Sequence, residues 1–485
     1  MKRVVKLLMS GFMLMCMSAS AQSDFRKAFD DFTTSATITF SSFTDTVNSI
    51  FAESIKSEWI EYKAEKPLER SNIPEPISVP VSADTLLVNR AIPVIDEYII
   101  RSEQWSDDTL STVLPTSAID VIRHKYVKFN FFDTEQVIPV PEAYGTFHPT
   151  GITEKDVSDF WKRLSEFEYQ LILSECDKLR QAYGYNDWAI LLWAQALSKA
   201  LFPLNRHSEQ TVFCVFLMNQ LGLMTKVARV EKELIVLFSS KQTIYARKFI
   251  VVDTYPYYTV GESSSTDVVY TYNNVFSEFT RPMDMRIAVP MQLGSKDSYN
   301  MYYKYSESLK RTFTLPVNTQ RTAFYSLYPQ LDVNMYAKAV PDSCFCESMN
   351  DTIKAALSGK DIIESLNILL KFCQTTFDYK SDREQFGYEK PFFLEENFMY
   401  DYNDCEDRAI LFSYLARTLL DCNVVLLDYP GHVVAAVSFG IDVDGEYVRL
   451  DGRKYYVCDP TYVGARIGML MPEYQGKSVK VWRIE

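Results

Sequence analysis

Three short motifs in the last eighty residues hold the side chains of nucleophilic chemistry. Asn403-Asp404-Cys405-Glu406-Asp407-Arg408 carries a thiol, Tyr429-Pro430-Gly431-His432 an imidazole, and Cys458-Asp459-Pro460-Thr461-Tyr462 a carboxylate. A thiol becomes a strong nucleophile when a neighbouring base takes its proton. A carboxylate on the other nitrogen of that base fixes its tautomer. His432 is the only histidine after His207, so no other imidazole competes for the role in this part of the chain.

Such groups work only if regular elements hold them. Asn403 or Asp404 is placed to cap a helix whose apolar stripe runs through Ile410, Leu411, Tyr414, Leu415 and Leu419. Cys405 then lies in the first turn, where free N–H groups and the positive dipole end favour thiolate. Glu406 and Asp407 oppose this, which raises the importance of a partner imidazole. Val424 to Leu427 reads as a strand, followed by a turn at 428–431 and a strand from His432 to Phe439. A hairpin at Asp444-Gly445 leads to Tyr447–Leu450, and Asp451-Gly452 leads to a last strand, Lys454–Cys458, which Asp459 ends. Either ring nitrogen of His432 could face the thiol, with Asp459 on the other. Pairing of this kind brings a cysteine pKa from about 8.5 to between ~3.5 and ~7.5.

At these residues the chain resembles the transglutaminase-like superfamily, in its bacterial secreted branch. The likeness is carried by Asp404-Cys405-Glu406-Asp407 at a helix start, Gly431-His432 at a strand start and Asp459-Pro460-Thr461 after a strand, within residues 345–475. It implies a papain-like α+β core with Cys405, His432 and Asp459 as catalytic triad. It also implies attack of Cys405 on an amide carbonyl of a protein or peptide, through a thioester. Water would resolve the thioester in a peptidase or deamidase, the expected outcome; an amine would do so in a cross-linking enzyme. No metal and no organic cofactor is implied. His432 lacks the aromatic successor of many members, so their substrate classes do not carry over. The competing reading is a binding or assembly protein that uses the same fold without strong catalysis.

Residues 381–403, just before the thiol, have little periodicity and are crowded with aromatics and acids. A long irregular segment there reads as a substrate-contact loop, with Tyr388, Phe392 and Tyr402 as candidate substrate-binding residues. An earlier region mirrors the C-terminal pattern. Asn205-Arg206-His207-Ser208-Glu209-Gln210 opens a helix, Val212 to Leu221, and strand-like runs follow at Thr225–Val230, Leu234–Phe238 and Lys248–Asp253. Aligned by pattern, Ser208 falls at Cys405, Glu209 at Glu406, Leu234 near His432 and Asp253 at Asp459. The reading is a degenerate copy of the same fold that has lost nucleophile and base; Ser208 beside His207 has no base on a strand to activate it.

The bulk properties frame these sites. At 485 residues the chain exceeds one ordinary core. A formal charge of -13 argues against nucleic acid or an anionic membrane as partner. Lys2, Arg3 and Lys6, the apolar run Leu7 to Met17 and Ala19-Ser20-Ala21 read as a cleaved signal peptide, hence export to the periplasm, cell surface or medium. Lipid attachment at Cys16 ranks second, because Met15 is large for a lipobox. No later stretch is long enough to span a bilayer. Few disulfides are expected among the remaining cysteines. The division read from these signals is 1–21 signal peptide, 22–82 amphipathic helix and proline-rich linker, 83–154 mixed α/β, 155–260 degenerate repeat, 261–341 a small β-rich element, and 342–485 the thiol-bearing domain. Oligomeric state is not legible.

Overall fold

The structure, a computed structural model, describes residues 46–69, 77–78, 89–98, 124–149, 151–203, 205–261, 267–274 and 281–484. The signal peptide, the start of the amphipathic pattern and most of the proline-rich linker lie outside the described residues. Helix and strand are mixed along the chain, an α+β architecture framed by two sheets.

The C-terminal sheet has the central order Glu446–Leu450, Arg453–Cys458, His432–Ser438, Asn423–Tyr429, Val479–Arg483, all antiparallel. Asn423–Tyr429 pairs with His432–Ser438 down to Tyr429↔His432, which leaves a two-residue turn at Pro430-Gly431. Gly431 has φ 81°, a conformation open to glycine at little cost, and the turn makes His432 the first residue of its strand. Alternation sends Val424, Leu426, Val433 and Ala435 into the core under the helix Cys405–Leu420. Val425, Leu427, Val434 and Ala436 face the other way, where Tyr462, Met469, Leu470, Met471 and Tyr474 of the 460–478 segment cover them. The helix Ile362–Thr375 packs beside Cys405–Leu420. The strand Val479–Arg483 lies beyond the last one expected. Two short strands from far upstream, Arg90–Ala91 and Val94–Tyr98, extend the sheet edges in parallel.

The N-terminal sheet runs Phe249–Val252, Tyr255–Thr259, Glu233–Phe238, Thr225–Val230, Val268–Thr271, with Ile60–Lys63 outermost. The helices Asp187–Leu201 and His207–Gln220 pack together, and the second lies against this sheet. Its first five strands share order and antiparallel sense with the central five of the C-terminal sheet. This topology shifts the internal alignment. The counterpart of Arg453–Cys458 is Tyr255–Thr259, not the run ending at Asp253. Val230↔Glu233 repeats the register of Tyr429↔His432, so Glu233 stands at the His432 position in place of Leu234. Leu237↔Thr259 set against Ala436↔Val457 puts Gly261 where Asp459 stands. Asp253 is instead an exposed turn residue at φ 54°. His207, not Ser208, opens the helix as Cys405 does.

Other expectations are redrawn by packing. The amphipathic pattern over 24–60 is helical over 46–55 among the described residues, burying Phe51, Ala52 and Ile55, and has become a strand by Ile60. The stretch 156–202 forms three helices, Glu154–Ser165, Gln170–Tyr183 and Asp187–Leu201, because Gly184 ends the second at φ 69°. That middle helix buries Ile172, Cys176 and Leu179 and leaves Leu171 exposed. Between 89 and 149 the described residues form strands, including the hairpin His124–Phe131 and Thr134–Pro141, and no helix. The stretch 261–341 is not a separate β element: Val268–Thr271 belongs to the N-terminal sheet. The hairpin Tyr299–Ser306 with Arg311–Asn318 is followed by the helices Thr319–Ser326 and Val333–Lys338. One hydrophobic core runs through both halves, from Phe51 to Ile484.

A buried ion pair ties this middle region to the approach to the thiol. Arg321 and Glu395 are both buried and 3.2 Å apart, and Glu395 also accepts the Asp342 N–H at 2.7 Å. Removing one partner leaves the other charge buried without compensation. Glu395→Ala is therefore expected to cost about 3–5 kcal/mol, read as a lower midpoint in urea unfolding.

Candidate active site

Each of the three motif residues is fixed by its own neighbours. Asp404 N–H donates to Asp407 Oδ2 at 3.2 Å and closes the first turn of the helix that Cys405 begins. Arg408 anchors the approach: Nε donates to Asn403 Oδ1 at 2.8 Å and a terminal nitrogen to the Phe377 carbonyl at 2.8 Å. Tyr379 pairs in parallel with Asn403, two residues before the thiol.

Asp459 is held more tightly. Its Oδ1 accepts the N–H groups of Thr461 and Tyr462 at 3.1 and 3.2 Å, and its Oδ2 accepts that of Met471 at 3.3 Å. The same Oδ2 lies 3.2 Å from His432 Nε2. Gln374 clamps the loop from the neighbouring helix. Its Nε2 donates to the carbonyls of Asp459, Tyr462 and Ala465, and its Oε1 accepts the Gly464 N–H. Sequence reasoning missed Gln374. Its only trace is a glutamine directly after Phe372 and Cys373 on the buried stripe.

Nε2 of His432 faces Asp459, and Nδ1 is buried and without a hydrogen-bond partner, so no hydrogen bond joins it to the Cys405 sulfur. Cys405 lies at the same corner. The N–H of Val433, the residue after His432, donates to its sulfur, and the thiol itself donates to Glu406 Oε2 at 3.4 Å.

The corner is closed and acidic. Burial pushes the Cys405 thiol well above its ordinary pKa, and Glu406 and Asp404 push further in the same direction, against the Val433 N–H. Burial and then Glu406 raise Asp382 to about 8; Asp404 and Asp407 are also raised well above the carboxylate range, by burial and by neighbouring acids. Burial, and next the negative charge that an ionised Cys405 would carry, raise the hydroxyl of half-buried Tyr379. Cys405, His432 and Asp459 are at most 1% exposed, so this conformation has no route for a substrate. Tyr474 is part of the cover. Its ring lies 4.8 Å from the His432 ring and 5.3 Å from that of Tyr429, and Lys477 sits over it at 5.0 Å.

The expected substrate loop is more ordered than its sequence implies. It contains the short helix Asp382–Gln385 and a 3-10 turn, Leu394–Phe398, with Glu395, Glu396 and Asn397 buried. Phe392 is fully buried against Tyr400, and its N–H donates to Asp407 Oδ1 at 2.8 Å, so it supports the helix start and offers no surface to a substrate. Tyr388 and Tyr402 are exposed; Tyr388 borders a shallow cleft with Tyr325, Gln330 and Tyr336, and Tyr402 lies under Lys380. The corresponding place in the N-terminal unit holds no triad. His207 is exposed, Ser208 is half-buried, Glu209 pairs with Arg206 at 2.7 Å, and Glu233 and Gly261 take the base and acid positions.

All eight described cysteines are free. Among the described residues, no helix is long and apolar enough to cross a membrane. No family model, curated protein or solved structure matches the chain.

Proposed function

We propose that the chain is an exported transglutaminase-like cysteine enzyme that cleaves an amide of a protein or peptide, with an N-terminal copy of the fold that has lost its chemistry. One observation carries this reading: a buried imidazole with Nε2 held by a stapled carboxylate and Nδ1 left free, at the corner where Cys405 opens its helix. Nδ1 of His432 takes the thiol proton as Cys405 Sγ bonds to the carbonyl carbon. The oxyanion is held by the Cys405 N–H and a second donor. His432 returns the proton to the departing amine as the C–N bond breaks. Water, deprotonated by His432, then attacks the thioester; the acid leaves and the thiol is restored. An amine in place of water gives transfer.

A second reading, a catalytically weak binding or assembly protein, is favoured by the closed corner and by a thiol held protonated among acids. Mass spectrometry of a peptide library incubated with the protein separates the two. The enzyme reading expects hydrolysed peptide bonds or glutamate in place of glutamine, product that shifts to the amine adduct when amine is added, and none with Cys405→Ala. The same yield from wild type and Cys405→Ala would leave only the binding reading.

A further inference from the structure

The acids around the thiol form a site that the proposed reaction does not use. Asp382, Glu389, Asp404, Glu406 and Asp407 are all buried. Asp382, Asp404 and Asp407 each offer one oxygen within 4.8 Å of the other two, and so do Asp382, Glu389 and Glu406. The two trios share Asp382, and Asp404 and Glu406 form a third such group with Cys405.

The positive groups nearby make their direct contacts mostly elsewhere. Arg408 spends its nitrogens on Asn403 and on backbone carbonyls. Lys390 pairs with Glu396, and Arg383 reaches Glu389 from the surface at 3.4 Å. Asp407 accepts one N–H on each oxygen, from Phe392 and Asp404, and Asp382 Oδ2 accepts the Lys390 N–H at 2.5 Å. Asp404 is completely buried, and neither of its oxygens has a hydrogen-bond partner. A carboxylate so placed forfeits its hydration with no return, a cost that a folded chain meets only with a counter-ion or a bound proton.

We propose that this cluster binds a divalent hard cation, of the calcium class, between the start of the Cys405 helix and the 382–392 segment. The donors are carboxylate oxygens, the ligands such an ion takes. Donors on one ion, each at about 2.4 Å, lie no more than about 4.8 Å apart, a condition that each trio meets. The five acids come from three separate stretches: Asp382 from a short helix, Glu389 from the segment after it, and Asp404, Glu406 and Asp407 from the helix start. The ion would therefore cross-link the segment that precedes the thiol to the helix that bears it. The topology supports a dedicated role: the N-terminal copy joins its two packed helices with residues 202–206, whereas the C-terminal unit inserts 376–404 at that point, and this insertion carries Asp382, Glu389 and Asp404.

The site does not depend on catalysis, so the test uses the full chain in a Cys405→Ala background. The chelator-stripped protein is titrated with Ca2+ up to ~1 mM, the range of weak extracellular calcium modules, while thermal unfolding is followed. Terbium luminescence, sensitised through nearby tyrosines and displaced by Ca2+, gives a second readout. The expected result is a rise in Tm of roughly 3–6 °C at saturation. Asp404→Asn keeps the shape and removes one charge; its metal-free Tm is expected to be unchanged or higher, with the Ca2+ response lost. Glu406→Gln serves as the second variant should the first fail to fold. No Ca2+-dependent Tm shift together with no displaceable terbium signal overturns the proposal, as does a shift retained in both variants. Binding of Zn2+ alone, seen only when Cys405 is restored, also overturns it, since it would assign the acids to a soft thiolate site.

Discussion

Asp459→Asn is expected to lower kcat/KM by about 10²- to 10⁴-fold with the fold intact. The substitution keeps the shape but replaces one oxygen with an NH2 group. Oδ1 faces two N–H donors, from Thr461 and Tyr462, so the remaining carbonyl oxygen belongs there. The NH2 group then takes the place of Oδ2, meets His432 Nε2 and leaves the Met471 N–H without its acceptor. Two donors cannot face each other, so the imidazole moves its proton to Nδ1 and Nε2 becomes the acceptor. Nδ1 is the proposed base for the thiol. Once protonated in the neutral ring, it can no longer take the thiol proton. The tautomer change is visible in the nitrogen NMR shifts of His432, and a wild-type tautomer in a dead variant would point to a lost fold contact instead.

Tyr474→Ala is expected to act in the opposite direction, raising the rate of Cys405 alkylation about 10- to 100-fold at constant pH. The thiol is wholly buried, so a reagent reaches it only when the cover opens. Tyr474 holds the cover by ring contacts to His432 and Tyr429. Each such contact is worth about 0.5–1.5 kcal/mol, and two of them correspond to the expected rate change. Intact-mass analysis after iodoacetamide treatment measures it, with exposed Cys344 as the internal reference that should label equally in both proteins. Equal labelling of Cys405 in both would mean that the thiol is reached by another route.

The C-terminal unit was legible because its signals are local. A run of alternating apolar residues on each side of Pro430-Gly431 forces a two-residue hairpin, and the helix stripe after Asp404 has one period. The strand Val479–Arg483 was lost for want of a following turn, although Val479 and Val481 alternate with Lys480. Arg90–Ala91 and Val94–Tyr98 reach the same sheet from over three hundred residues away, a pairing no local pattern encodes. The helix followed by strands in the N-terminal unit is legible in its apolar pattern. Alignment by pattern falls on the wrong strand because Lys248–Asp253 and Lys454–Asp459 look alike, and only pairing tells an outer strand from an inner one. Phe392 and its neighbours read as a loop because burial by distant aromatics leaves no period. The clamp at Gln374 and the convergence of Asp382 with Asp404 and Asp407 are likewise products of tertiary folding.

The central claim is that His432 activates Cys405. The direct measurement is the pH dependence of Cys405 alkylation in the opened Tyr474→Ala protein, in chelating buffer, with and without His432→Ala. Thiolate is the reactive form, so a lower thiol pKa moves the rising limb of the rate to lower pH. Burial no longer dominates once the cover is open, while Glu406 and Asp404 still oppose ionisation. The account predicts a limb below about 8.5 with His432 present, and one at or above about 8.5 with His432→Ala. The same limb in both proteins, at or above about 8.5, would contradict it.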